Sequence, residues 1–137
     1  MKIKIALTVL LTYLFTLNLS AQNLLGYKLK EIKSYMRENQ KTMRFQGLTF
    51  NSTFKYAKYA DVDGNQTTLF LFTADTVCKG IRMICDKSLE QHMISEMDSR
   101  YKKQGKNSWS EEKDGKTYLI ELREEDFSFN VTITLKD

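Results

Sequence analysis

The sequence predicts an α+β fold: one antiparallel sheet of about seven strands with two helices packed on one face, in the order αββββαβββ. Three observations carry that expectation. Two segments repeat apolar residues at helical spacing, two Asp-Gly pairs sit between strand-like runs, and the last segment alternates apolar and polar residues without a fault. Strands joined by short turns must be antiparallel, and a sheet with one apolar face needs that face covered.

The elements follow in order. Lys28 to Asn39 places Leu29, Ile32, Tyr35 and Met36 on one stripe and leaves Lys30, Lys33 and Arg37 off it, the pattern of a short amphipathic helix. Thr42 to Phe50 and the aromatic-rich Phe54 to Ala60 read as strands, with Gly47 disturbing the first and a bulge expected in the second. Asp63-Gly64 is a hairpin turn, because both residues tolerate positive φ, and Thr67 to Thr73 is the return strand. Val77 to Cys85 follows after a turn near Asp75. A second helix begins at Ser88, with Gln91 completing a capping box, carries Leu89, Met93, Met97 and Tyr101 at four-residue intervals, and is expected to end at Gly105. Asn107 to Glu112 and Thr117 to Glu124 form a hairpin about Asp114-Gly115. Phe127, Phe129, Val131, Ile133 and Leu135 then alternate with polar residues, so one face of this strand is buried and the other wet. Each half begins with a helix and continues as a meander, which suggests a duplicated architecture.

Ahead of these elements, Met1-Lys2-Ile3-Lys4 precedes an apolar stretch from Ile5 to Leu19 and the small residues Ser20 and Ala21. This is the layout of a secretory signal peptide over 1–21, cut between Ala21 and Gln22. Asn18, Ser20, Gln22 and Asn23 interrupt the apolar run after about 15 residues, short of the ~20 that cross a bilayer. Gln22 stands where a lipobox would carry its cysteine, so no lipid is attached there. The mature chain, 22–137, is then one domain without proline, linker or low-complexity stretch, periplasmic or secreted.

Charge and motifs narrow the function. The whole chain carries +4, and removal of Lys2 and Lys4 leaves 19 basic against 17 acidic residues, too near neutral to argue for nucleic acid. Cys78 and Cys85 belong to one strand, whose seven steps at ~3.3 Å separate them by roughly 23 Å and set them on opposite faces, so both are expected to be unpaired and mostly buried. His92, the sole histidine, lies on the second helix as a boundary residue rather than beside a thiol. Asp61-Val62-Asp63-Gly64-Asn65 begins like a calcium loop but has Gln66 and Phe72 where glycine and a bidentate glutamate belong, so it is read as a hairpin turn. Two cysteines and one histidine without close spacing make no zinc set. Glu111-Glu112 and Glu124-Glu125-Asp126 flank turns, and no phosphate loop or nucleophile motif occurs, so neither an enzyme nor a cofactor is expected. Matches to glycosylation patterns at Asn51, Asn65, Asn130 and Asp75 are chance matches to common polar triplets.

What remains is aromatic content. Tyr56, Tyr59 and Trp109 are the candidates for an exposed contact surface, since such side chains are favoured at binding hot spots; otherwise they fill the core. The Ser20-Ala21-Gln22 ending, the helix-then-meander order and the succession Tyr101, Trp109, Ile120 and Phe129 resemble small exported domains of unknown function from Bacteroidota-type bacteria. The repeated helix-plus-meander plan is similar to BLIP-like domains, and that resemblance implies binding to another protein and supplies no catalytic residues. The expectation is a non-catalytic binding domain with a protein partner in the cell envelope, using the uncovered sheet face or a hairpin edge. The alternatives are a small-ligand carrier in the sheet concavity and a small enzyme.

Overall fold

A computed structural model describes residues 24–137; the expected cleavage point at Ala21 and Gln22 lies outside them. Helix α1 (Leu29–Asn39) leads into β1 (Met43–Phe50), β2 (Lys55–Asp61), β3 (Gln66–Phe72) and β4 (Cys78–Asp86). Helix α2 (Glu90–Arg100) leads into β5 (Lys102–Gly105), β6 (Ser108–Lys113), β7 (Lys116–Glu124) and β8 (Ser128–Leu135). All pairings are antiparallel, and the spatial order is β1-β2-β3-β4-β8-β7-β6-β5. Two meanders, each introduced by a helix, therefore meet at their last strands. Along that seam Ile81 faces Ile133 and Met83 faces Val131. Stepping fifty residues from the first meander to the second takes buried Phe70 to Ile120, Phe72 to Leu122, Ile81 to Val131 and Met83 to Ile133, so the two halves repeat their core pattern as well as their order.

Register sorts the side chains. Ala57, Tyr59, Phe70, Phe72, Met83, Trp109, Ile120, Leu122, Phe129, Val131 and Ile133 share one face and form a single cluster with Ile32 and Met36 of α1 and Met93 and Met97 of α2. The opposite face carries Lys58, Arg82, Thr132 and Glu121 in one row and remains half wet. Apolar burial on one side and solvated polar residues on the other are what keep the two helices on the same face.

Several local expectations are corrected. The sheet has eight strands because Lys102–Gly105, expected at the end of the second helix, is a short edge strand. α2 stops at Arg100, and Gly105 pairs with Ser108 instead of capping it. The chain enters α2 through a 3-10 turn, Lys87–Leu89, in which Asp86 accepts the Ser88 N–H at 2.9 Å, so Asp86 is the capping residue and not Ser88. That bond holds the Asp86 carboxyl below its ordinary pKa. The bulge expected in the second strand lies in the first, at Gly47, where φ is +135°. Both Asp-Gly hairpins form as expected: Asp114 and Gly115 take φ of +53° and +76°, the two positive values of a two-residue turn between Lys113 and Lys116.

Cys78 and Cys85 are free and buried, but on the same face rather than opposite faces. A register shift after Leu71 skips Lys79 and brings Cys78 opposite Phe72, which returns it to the core side. Burial pushes their thiol pKa values up to about 11 and about 12, so both are neutral and unreactive near neutral pH. Native protein should accordingly resist a thiol reagent and take up two labels when denatured without reductant. An intact disulfide in that sample would contradict the strand. Because both thiols ionise more readily once exposed, their contribution to stability is complete below about pH 9 and declines as the pH rises through 11 and 12.

Candidate protein-binding edge

The three candidate aromatics part company in the fold. Trp109 is 0% exposed, facing Ile120 across β6 and β7, with its indole N–H donated to Asp98 of α2 at 2.8 Å. That hydrogen bond, aided by Lys103 at 3.3 Å, lowers the Asp98 pKa. Tyr59 is 4% exposed and sits edge-on to Phe70 at 5.7 Å, and its phenol pKa is raised by burial. Neither side chain presents a surface to a partner, so both are corrected from contact residues to core. Tyr56 alone lies on the wet face, half-buried opposite Leu71.

The exposed apolar surface is elsewhere, on β1. Phe45 pairs with Tyr59, Leu48 with Ala57 and Phe50 with Lys55, so all three point to the helix-covered side of the sheet. Leu48 lies three positions after Phe45, an interval that in a regular strand puts side chains on opposite faces. The extra residue at the Gly47 bulge cancels that alternation and aligns them. Their side chains nevertheless remain open: Phe45 is 45%, Leu48 42% and Phe50 69% exposed. Cations stand over two of the open rings. Lys33 Nζ stands 4.7 Å over the Phe45 ring, and Lys55 Nζ, from β2, stands 4.4 Å over Phe50. Between α1 and β1 runs a groove of about 490 Å³, lined by Lys33, Met36, Arg37, Met43, Phe45 and Tyr59 among others.

Charge is uneven in the same place. From Lys28 to Lys58 the chain has eight basic residues against two acidic ones, Glu31 and Glu38, while the remainder carries a surplus of acids. Among the described residues the ion pairs, Lys87–Glu90, His92–Glu96 and Lys103–Asp98, all lie in the second half. Lys33, Arg37, Lys41, Arg44 and Lys55 have no carboxylate partner among them; Arg44 donates to the Lys41 carbonyl and Lys55 to the Thr76 hydroxyl.

The other edge of the sheet is built differently. β5 has four residues, all exposed, with lysines at 102 and 103, the short charged form that discourages further pairing. β1 has eight residues, and its side away from β2 pairs with no strand among those described.

A second concavity lies between the helices. Tyr35, Met36, Leu89 and Met93 wall it, Thr68 and Phe70 floor it, and Gln40, Gln66, His92 and Glu96 stand at its rim. Its volume of about 200 Å³ is below the ~300–1,000 Å³ of typical ligand pockets. His92 is engaged with Glu96 at 3.1 Å on the helix surface. Among the described residues no three His, Cys, Asp or Glu side chains are grouped as a metal site, and Asp61 to Asn65 is the β2–β3 turn, closed by the Gly64 N–H on the Asp61 carbonyl. No described helix is long and apolar enough to cross a membrane.

No protein-family model, no curated protein and no solved structure matches the chain.

Proposed function

We propose that the mature, exported chain is a non-catalytic protein-binding domain of the cell envelope that captures its partner on strand β1. The single observation that carries this reading is the asymmetry between the two sheet edges. One edge is short and lysine-rich; the other is twice as long and aligns three exposed apolar side chains on one face. An open edge supplies backbone donors and acceptors for strand addition, and the aligned side chains supply apolar contact beside it. The wet face is a poorer contact surface, since charged Lys58, Arg82, Glu121 and Arg123 are spread across it.

The test compares two sets of variants. Leu48→Asp and Phe45→Ser on the edge should abolish cross-linking to the envelope partner and its binding in a purified pair, while the unfolding free energy changes by no more than about 1 kcal/mol, because these side chains are already largely open to solvent. Tyr56→Ala and Lys58→Glu on the wet face should leave binding intact. Loss of binding in the second set alone would move the contact to that face.

A further inference from the structure

Resting on the reading of β1 as the contact edge, we infer that its occupant is an extended, acidic segment of a partner protein, with apolar residues and carboxylates sharing the side that faces α1, added as a further strand alongside β1. Two features must be satisfied together by whatever lies there. A strand added to β1 places alternate side chains on the helix-covered side, against Phe45, Leu48 and Phe50, where apolar residues gain most. The cations that frame those rings, Lys33 over Phe45 and Lys55 over Phe50, and Arg37 and Lys41 in the adjoining groove, have no carboxylate of this chain to neutralise them. Arg44, which also lines that groove and donates to the Lys41 carbonyl, adds a further positive charge beside β1. An acidic strand completes all of these at once, and its attraction also orients the approach.

The same charges argue against a second copy of this chain at the edge. Two β1 strands related by a twofold axis would bring the basic stretch from Lys28 to Lys58 of one molecule against its equivalent, with like charges across the new pairing. A basic or neutral strand satisfies the apolar row but leaves the cations unpaired.

The experiment uses the mature protein and four short fluorescein-labelled peptides read by anisotropy. The first sets valine and glutamate in turn at every second position with serine between them, so that both share one face; the second replaces glutamate by serine, the third by lysine, and the fourth keeps the acids but carries a central proline that cannot extend the ladder. The acidic peptide should bind, with affinity falling as salt is raised; the serine peptide should bind about tenfold more weakly, and the lysine and proline peptides not measurably. Lys33→Glu combined with Lys55→Glu should reverse the order of the acidic and lysine peptides. Equal binding of the acidic and serine peptides, both lost in Leu48→Asp, would overturn the acidic partner while leaving the edge as the contact site. Binding that ignores Leu48→Asp and the central proline would overturn both. Concentration-dependent dimerisation of the wild-type protein, removed by Leu48→Asp, would replace the acidic partner by a second copy.

Discussion

Trp109→Ala should destabilise the domain by about 3–5 kcal/mol, seen as a large drop in the urea midpoint, whereas Tyr56→Ala should cost far less. Trp109 is fully enclosed beneath α2, so its removal leaves a cavity that the facing Ile120 cannot fill and also strips Asp98 of its indole donor. The Asp98 carboxyl is held below its ordinary pKa chiefly by that donor, so the native state gains from the bond above about pH 4 and loses it as the pH falls below that range. In the variant this part of the acid sensitivity should disappear. A midpoint for Trp109→Ala close to wild type would place the indole at the surface after all.

That the tryptophan belongs to the core was hidden in the sequence for a definable reason. Period-two reasoning needs at least two apolar residues to set the phase of a strand, and Ser108-Trp109-Ser110-Glu111-Glu112 has one. β8, with Phe129, Val131 and Ile133, has three in phase, and its buried face was readable from the sequence alone. Long regular patterns and paired turn residues therefore predicted α1, the central strands and both Asp-Gly hairpins. β5 escaped because an edge strand of Lys-Lys-Gln-Gly has no buried side to leave an apolar trace.

The apolar row on β1 was concealed by a different effect. In sequence Phe45, Leu48 and Phe50 are out of phase and read as an irregular strand, and only the backbone at Gly47 brings them onto one face. The bulge at Lys79 has the same consequence for Cys78 and Cys85. Gly47 was visible as an interruption, but an interruption does not say whether it ends a strand or rephases it. The charge asymmetry, by contrast, was present in the composition of residues 28 to 58 and was diluted by averaging over the whole chain. A window as long as one half of the duplicated architecture is the scale on which it shows.

The seam between the halves yields the other large effect. Val131 is fully buried, opposite Met83 of β4 and Leu122 of β7, at the one place where the two meanders share a core. Val131→Asn should cost about 3–5 kcal/mol, from lost apolar burial and an amide with no partner, and this cost should depend little on pH. Val131→Asp should be more damaging near pH 7, since a carboxylate there must either lose its hydration or take up a proton, and total stabilities of ~5–15 kcal/mol leave little in reserve. The burial raises the folded-state pKa of the new carboxyl above its unfolded value. Its protonated form is therefore the one the native state tolerates, and the deficit relative to Val131→Asn should shrink as the pH is lowered towards about 4, where the unfolded chain is protonated as well. Thermal melts of the two variants between pH 7 and pH 4 measure that difference. Because the seam joins both halves, each variant should unfold in a single cooperative transition at a lower midpoint, rather than one half melting while the other persists. Two separate transitions in Val131→Asn would instead show that each helix-plus-meander half holds a stable core of its own.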